Sequence, residues 1–577
     1  MARYTPSQGR YAMPPIFKIT AVCLSLALFG CGTDNSPPAD QIYLGEIITM
    51  NDAQPRAEAL AVKDGLILAV GDAADVLKHQ GGSTVVRHLD THAMTPGFID
   101  AHGHMAIYAL LDSDLNTASP PIGPVTSIPD LLSRLKAHIK DNNLAEDALV
   151  FSFGYDDSLL AEKRHPLRTE LDSVSETHKI LLIHTSGHLA AANSAALAAA
   201  GFTDDSPDPK GGSLWRNKTT GKLNGIVDEQ AVFRFFSLLQ KSPEDSIKSL
   251  IKAAHYYASF GITTAQDGQT QTAGLKLLRG AAAQNLLPLD VVSYPKWTEY
   301  EAMMATDTVA PGQYQNHVKW GGVKITQDGS PQGKTAYLTQ PYHVPPLGQD
   351  ASYRGHPIMP QAELDSWVEK IFAADQQLLL HCNGDACADM MIAAVDMATE
   401  KLGPKDRRPV MIHAQTIRPD QITRLKDLGI IPSFFAAHSF YWGDWHRDEV
   451  LGPERAARIS PMATAQKAGL HFTLHNDAPV VPPNIIFLMH TAINRTTRSG
   501  KILGPAERIS AESALKAVTL DAAYQYFEEG QKGSLEVGKQ ADMVILSQNP
   551  LTIAPERLKD VTVLETVNDG KSIYRKD

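Results

Sequence analysis

The chain has 577 residues, of which 43% are hydrophobic and 20% charged, a composition typical of a soluble globular protein with a large core. Its net charge of −11, with no basic block, argues against nucleic acid as a partner. Four cysteines are too few for a disulfide scaffold. Cys382 and Cys387 could pair only if the local geometry allowed it, and reduced packing residues are the alternative.

The N-terminus has the features of a targeting segment. After Met13, a single lysine precedes the apolar run Ile19–Phe29, and Gly30 and Cys31 follow it. The run is shorter than a membrane-spanning helix requires, and a small residue stands at its end. We therefore predict export from the bacterial cytoplasm, and Met13 gives a more typical charged start than Met1.

The segment Leu28–Cys31 is similar to the bacterial lipobox, in which the cysteine is lipidated, although Phe29 is bulkier than the residue usual there. The prediction is a signal peptide at 1–31 and a flexible tether at 32–40. A lipid on Cys31 would be the only attachment to a membrane and would hold the protein in the cell envelope, facing the periplasm. An ordinary cleaved signal peptide, giving a soluble periplasmic or secreted protein, is the alternative.

Both ends of the remaining chain have the pattern of a small β-sheet. Short alternating strands run from Gln41 to Leu89, and the C-terminus repeats the pattern in GSLEVGKQADMVILS and VTVLETVNDGKSIYRKD. Gly and Asp separate the strands, as turns require. We predict one composite β-sandwich built from residues 41–94 and 530–577.

The middle of the chain alternates apolar strands with amphipathic helical segments. Eight strands can be counted: TPGFIDAH, GITTAQD, PLDVVSYP, KWGGVKIT, QLLLHC, RPVMIHA, GIIPSFF and HFTLHND. This alternation predicts βα units and a parallel sheet, and eight units fit a TIM-like (β/α)₈ barrel over residues 95–529. The stretch of about 106–260 is too long for one crossover, so we expect an insertion after the first strand. The fold class is α/β.

Polar side chains stand at the ends of these strands, where a barrel places its active site. They include two histidines at the spacing i, i+2, which point to the same face of a strand. Taken singly, each has a simpler explanation as a core histidine or a solvated lysine. Together they predict one convergent site made of His102, His104, Lys324, His381, His413 and Asp477.

Imidazoles and carboxylates suit Zn²⁺ and similar divalent ions, and without thiolates a closed structural cysteine site is excluded. Lys324 does not fit as an ammonium, which cannot bind a metal. It could bridge two ions if its amine carried CO₂ as a carbamate, and burial would free the neutral amine that carboxylation needs. A substrate-binding cation is the alternative role.

The ordered set TPGFIDAHGH, VKITQDGSPQGKTA, LLLHCNGDA, VMIHAQ and TLHNDAPV resembles the amidohydrolase superfamily, and within it the YtcJ-like and N-substituted formamide deformylase branch. The resemblance runs from about Ile42 to Tyr574. It implies one or two zinc ions per chain and a carboxylated lysine. His102 and His104 would hold the more buried ion and His381 and His413 the more exposed one, with Lys324 as the bridge and Asp477 as both ligand and general base.

The resemblance extends to further residues. Asp328 follows the lysine strand, His188 lies in an SGH segment of the insertion, and Glu229 stands where the branch carries a glutamate. His188 could donate a hydrogen bond to a developing oxyanion, or its segment could be a helix-capping turn. This sequence departs from the branch pattern at Cys382-Asn383, where an alanine and a small or aliphatic residue are more usual.

Two loop features have open interpretations. His438 and Trp442 belong to an aromatic-rich loop, AAHSFYWGDWHRD, which either lines the substrate pocket or packs down on the barrel. The acidic pairs Asp156-Asp157 and Asp204-Asp205 are expected to be solvated.

The favoured function is metal-dependent hydrolysis of an amide, N-formyl or cyclic amide bond in a small molecule. The same metal barrel could instead act as an esterase, deaminase or isomerase, because the fold hosts many reactions. A periplasmic binding lipoprotein without turnover is the third interpretation. A homo-oligomer is compatible with the sequence.

Overall fold

The computed structural model describes residues 38–307, 309–346 and 349–576. The predicted signal peptide, the lipidation site Cys31 and most of the tether therefore lie outside the described residues. Among the helices described, none has the length and apolarity that crossing a membrane requires.

The two β-rich ends of the chain meet in one seven-stranded sheet. The N-terminal and C-terminal contributions join where Val85–Pro96 pairs antiparallel with Met543–Leu546. Tyr43, Met94 and Met543 are buried in the core beneath it. In spatial order the strands are Lys571–Arg575, Val563–Asn568, Met543–Leu546, Val85–Pro96, Gln41–Ile48, Arg56–Lys63 and Leu66–Gly71.

All eight apolar strands predicted for the middle of the chain are present, and one of them, KWGGVKIT, is divided at Gly321 into Val318–Trp320 and Gly322–Thr326, which makes nine. The first group of parallel neighbours is Phe98–Ile99, Ile262–Thr270, Asp290–Pro295 and Val318–Trp320, with Tyr314–Gln315 antiparallel at its edge. The second group is Gly322–Thr326, Gln377–Cys382, Val410–His413, Ile431–Phe434 and Thr473–Leu474.

Two sets of contacts link these groups. A parallel bridge joins Lys296 to Lys324, and beyond the last strand Asp477 N donates to His102 O at 3.2 Å. His104 N in turn donates to Ala478 O at 2.8 Å. Because the strands are parallel and neighbouring in chain order, their carboxyl ends lie at one edge. The α/β class is thus confirmed.

Helices follow the strands of this layer and cover them with apolar faces, as for Leu364, Val368 and Ile371 of the helix after residue 360. Several begin at a side-chain cap, for example Asn484, whose side chain accepts from Phe487 N. The longer helices are Thr272–Ala283, Gln361–Ala373, Asp385–Leu402, Pro419–Asp427, Ile485–Asn494 and Ala511–Ala517, and the shorter ones are Tyr300–Met304, His438–Tyr441, Gly443–Trp445, Gly452–Ala456, Met462–Lys467 and Leu520–Gln525.

Between the first and second strands of this layer the chain forms a five-stranded sheet of its own. Its strands are, in spatial order, Leu149–Tyr155, Lys179–His184, Leu189–Ala192, Leu223–Asp228 and Leu214–Arg216. Its helices are Met105–Leu110, Ile128–Asp141, Arg168–Asp172, Ser194–Ala199 and Pro243–Ala258, with a 3₁₀ helix at Glu229–Leu239. Leu181, Ile183 and Phe235 lie in its core, so the segment packs around apolar side chains of its own.

Of the two alternatives for the cysteine pair, the structure has the disulfide. Cys382 ends the strand Gln377–Cys382, and Cys387 lies in the first turns of the next helix, with 5.6 Å between the Cα atoms. This distance falls in the usual range for a disulfide, so the short turn between strand and helix provides the required geometry.

Candidate active site

Three predicted ligands converge at the strand ends. Oδ1 of Asp477 lies 3.3 Å from Nε2 of His102 and 3.1 Å from Nε2 of His104. The opposite ring nitrogens are already engaged, because His102 Nδ1 contacts Gln266 Oε1 at 2.5 Å and His104 Nδ1 contacts the Gly268 carbonyl. Both Nε2 atoms therefore lie close to the same carboxylate oxygen.

Lys324 lies beside this group and is 1% exposed. Its Nζ is 3.1 Å from His102 Nε2. Burial lowers the pKa of the Lys324 ammonium to about 7, although the Asp477 carboxylate opposes the shift. A substantial share of the amine is therefore neutral near neutral pH, which is the form that can react with CO₂.

The other two histidines stand on the next strands. The rings of His381 and His413 are 4.6 Å apart, and His413 Nε2 lies 3.9 Å from Asp477 Oδ2. His381 Nδ1 contacts Asp328 Oδ1 at 3.1 Å, and His413 Nδ1 contacts His475 Nε2 at 3.0 Å. As with the first pair, each Nδ1 is held from behind. His413 Nε2 faces Asp477, and His381 Nε2 lies 3.5 Å from Asn383 Nδ2.

Two of the supporting side chains were not predicted from the sequence. Gln266 lies on the second apolar strand, and His475 is in turn held by Ser433 Oγ at 2.9 Å. His475 stands two residues before Asp477, the same spacing as His102 and His104. That spacing was a signal for His475, whereas nothing in the sequence distinguished Gln266.

The charges of these groups, and a buried carboxylate oxygen without a hydrogen bond, fit a divalent metal. Burial lowers the pKa of His102 and of His413 well below the ordinary value, so both rings are neutral. Burial would raise the pKa of Asp477, but His104, His475 and Lys324 together lower it. Asp477 Oδ1 is buried, and no described residue donates a well-formed hydrogen bond to it. Neutral imidazoles around an ionised carboxylate are the donor set that Zn²⁺ accepts.

Asp328 has a different place from the substrate contact predicted for it. It is fully buried, and its carboxylate accepts hydrogen bonds from the backbone N–H groups of Tyr337, Asn383 and Gly384 at 2.8–3.1 Å. Its remaining contact is with His381. Asp328 therefore orients a predicted metal ligand and does not line the cavity.

We expect the substitution Gly384→Ala to destabilise this arrangement. A Cβ atom there would overlap the carbonyl oxygen of Tyr337, whose N–H holds Asp328. Overpacking of this kind typically costs about 1–3 kcal/mol, and occasionally more. The free energy of unfolding, measured with denaturant, should fall by that amount. As a control, Gly280→Ala, where a Cβ would meet nothing within 4 Å, should not lower it; equal stability for the two variants would contradict the expectation.

A cavity of about 120 Å³ opens in front of the predicted ligands. His104, Lys324, His381 and Asp477 form its polar end. Its other walls are mainly apolar and come largely from the segment that carries the separate five-stranded sheet: Ile107, Leu111, Phe153, Ile183, Phe233 and Phe236, joined by Trp297, Pro479 and Val480.

His188 and Glu229 also line this cavity and form a pair. His188 Nδ1 lies 2.9 Å from Glu229 Oε2, and Glu229 N donates to His188 O at 2.8 Å. The second oxygen, Glu229 Oε1, is buried and accepts no hydrogen bond from the described residues. The His188 ring is 5.7 Å from that of His381, so the pair faces the polar end of the cavity.

The aromatic loop is packed down, as one of its two interpretations predicts. His438 and Trp442 are both 2% exposed and neither lines the cavity. The His438 ring lies against that of Phe435, with the ring centroids 4.1 Å apart, and Trp442 Nε1 donates to Asp156 Oδ2 at 2.8 Å. The expectation that Asp156 is solvated was therefore wrong, because it is 3% exposed.

Comparison with known proteins adds the family. The sequence pattern of the amidohydrolase family matches residues 89–574. The chain belongs to this family. It is 25% identical over 555 residues to the N-substituted formamide deformylase of Arthrobacter pascens, covering 93% of this chain and 98% of that one. It is also 25% identical over 558 residues to YtcJ of Bacillus subtilis, covering 92% and 98%. The predicted YtcJ-like branch is thereby confirmed.

Among solved structures, an uncharacterized metal-dependent hydrolase from Pyrococcus horikoshii OT3 superposes with a TM-score of 0.70 at 22% identity, over 89% of this chain and 99% of that one. At this low sequence identity, the superposition shows a shared fold. Family membership supports a hydrolase, and the converging imidazoles and carboxylate locate its candidate site.

Proposed function

We propose that this protein is a metal-dependent hydrolase that cleaves a carbon–nitrogen bond of a small amide. The observation that carries the proposal is the convergence of His102 Nε2 and His104 Nε2 on the unpartnered Asp477 Oδ1. We further propose that the two groups of parallel strands form one closed (β/α)₈ barrel, with the five-stranded sheet as an insertion over its mouth.

The residues that would hold metal are His102, His104, Asp477, His381 and His413, with Zn²⁺ as the first candidate and one or two ions per chain. Lys324 would bridge two ions as a carbamate formed with CO₂, which its lowered pKa favours. A divalent metal bound in such a site would lower the pKa of a bound water to near neutral pH, and the metal would also polarise the substrate carbonyl.

The protein's own groups would carry the proton. Asp477 would take a proton from the attacking water as its oxygen bonds to the carbonyl carbon. It would return that proton to the nitrogen as the carbon–nitrogen bond breaks, giving a carboxylic acid and an amine. General acid–base roles of this kind contribute typically about 10²–10⁴-fold. His188, oriented by Glu229, is suited to donate a hydrogen bond to the developing oxyanion.

The shape of the cavity favours an amide that carries an apolar or aryl group. Its polar end holds the predicted ligands, whereas its far walls are aromatic and aliphatic. The similarity to an N-substituted formamide deformylase makes N-substituted formamides the first compounds to test.

A test of substrate class uses Phe233→Ala, because Phe233 lines the apolar wall. Losing a buried aromatic contact should raise KM for an N-aryl-substituted formamide by about 10-fold or more, since about 1.4 kcal/mol of binding corresponds to tenfold. KM for N-methylformamide, which cannot reach that wall, should change little. Equal effects on both substrates would contradict an apolar subsite there.

The reaction type is tested by incubating the zinc-loaded full-length protein with N-substituted formamides, a cyclic amide, an aryl ester and an aminopurine, and identifying products by mass spectrometry. We expect a free amine from the amides. Products only from the ester or the aminopurine would replace the amide assignment, and binding without any product would favour a binding protein.

We also propose that Cys31 carries a lipid that holds the protein in the cell envelope.

A further inference from the structure

A second group of metal-type ligands lies in the insertion, apart from the predicted active-site ligands. We propose that Asp156, Asp157, His184 and His165 form a binding site for a divalent cation, with Zn²⁺ the best match. One ligand atom from each of Asp156, Asp157 and His184 lies within 4.8 Å of the others.

The fold brings these residues together through one strand pair. Asp156 and Asp157 directly follow the strand Leu149–Tyr155, and His184 ends the parallel strand Lys179–His184. Tyr155 is paired in register with His184, so the carboxyl ends of both strands meet side by side. This is the placement that gathers polar groups at the edge of a parallel sheet.

The His184 ring supplies the observation that points to a ligand. It is 2% exposed, and its Nε2 atom makes no hydrogen bond to any described residue. That atom lies 3.1 Å from Asp157 Oδ1 and 3.8 Å from Asp156 Oδ1, which also accepts hydrogen bonds from Ser158 N and Oγ. A buried polar atom without a hydrogen bond is uncommon in a folded protein and calls for an explanation.

A second imidazole lies beside the group, with its ring 5.8 Å from that of His184. His165 Nε2 lies 3.7 Å from Asp157 Oδ2, and its Nδ1 contacts the Tyr155 hydroxyl at 3.0 Å. Zinc bonds of about 2.0–2.1 Å in a tetrahedron separate neighbouring ligand atoms by about 3.3 Å. The 3.1 Å between His184 Nε2 and Asp157 Oδ1 is close to this value, and the 3.8 Å to Asp156 Oδ1 is longer. Two imidazoles and two carboxylates also form a set that zinc accepts.

The proton on His184 decides between this site and an ion pair. Nδ1 lies 2.8 Å from Ser186 Oγ, which can accept its proton and leave the Nε2 lone pair free for a cation. The Ser186 N–H also lies 3.1 Å from Nδ1, an arrangement that favours a proton on Nε2. A cation would then displace that proton. A metal-free ion pair between His184 and the carboxylates is accordingly one outcome of the test.

Cation binding here would join the insertion to the active-site wall. Asp156 Oδ2 holds Trp442, which lies on the loop after the strand Ile431–Phe434. Ser186, which contacts His184, lines the active-site cavity, and its Oγ accepts from His188 N at 3.2 Å. The site would therefore fix the position of His188 without itself contacting substrate.

The experiment separates the two metal sites by mutation in the full-length protein. The variant His102→Asn/His104→Asn disables the active-site centre, and we expect it to retain about one zinc ion per chain after dialysis, measured by mass spectrometry. Adding Asp157→Asn and His184→Gln should remove that ion. Asp205→Asn, an exposed acid of the same insertion, should leave it in place.

The double variant Asp157→Asn/His184→Gln, with His102 and His104 unchanged, provides a second measurement if the larger variants fail to fold. It should hold about one zinc ion fewer than wild type and show a smaller rise in Tm when zinc is added. Zinc content unchanged by these two substitutions would overturn the proposal in favour of the ion pair. If zinc were lost only on changing His102 and His104, the proposed second site would be overturned and the proposed function would stand. If zinc were lost only on changing Asp157 and His184, the second site would stand and the active-site metal centre would be overturned.

Discussion

Replacing Asp477 with asparagine should lower kcat by about 10²–10⁴-fold, the usual worth of a general acid–base group. Its carboxylate is the acceptor nearest to both His102 Nε2 and His104 Nε2, and it is ionised in spite of its burial. Asparagine keeps the shape and an oxygen ligand but cannot take up the proton. The measurement is kcat for an N-substituted formamide and zinc content on the same sample.

The zinc content decides how the loss is interpreted. If Asp477→Asn retains its zinc, the missing activity reports proton transfer. Activity near that of wild type with zinc retained would show that another group is the base. Asp205→Asn, whose side chain is exposed in the insertion, is the matched control and should keep full activity.

Replacing Lys324 with alanine should lower both metal content and turnover. Lys324 is 1% exposed and lies 3.1 Å from His102, where an ammonium would repel a cation and a carbamate would bind one. We expect the variant to hold about one metal ion fewer per chain and to lose at least about 10²-fold in kcat/KM, because the proposed two-metal site would lose its shared ligand.

Lys296 offers a matched control for this substitution. It is the β-bridge neighbour of Lys324, but its Nζ lies over the Phe233 ring at 5.0 Å and not among the histidines. Lys296→Ala should therefore leave metal content unchanged. If Lys324→Ala retained its metal and raised KM alone, Lys324 would be a substrate-binding cation and not a bridge.

The residues at the strand ends were predictable because two regularities act together. Strand periodicity sets which side chains share a face, and the parallel arrangement brings the carboxyl ends to one edge. His102, His104, Lys324, His413 and Asp477 follow from these rules, and the structure brings them together. His475 obeys the same spacing rule and could have been found with it.

Loop residues were harder to place because loops have no periodicity. Asp328 and Trp442 follow strands as the other residues do, yet their side chains turn back into the protein to hold His381 and Asp156. Whether a polar group after a strand faces the cavity depends on the backbone beyond the strand. The disulfide from Cys382 stayed open for the same reason, since a turn of a few residues decides whether two sulfurs meet.

Locating zinc by anomalous scattering in crystals of the full-length protein tests the central claim most directly. The predicted result is an anomalous peak within bonding distance, about 2.0–2.2 Å, of His102 Nε2, His104 Nε2 and an Asp477 oxygen. Zinc-soaked crystals with no peak at these three residues would contradict a metal-dependent hydrolase at this site.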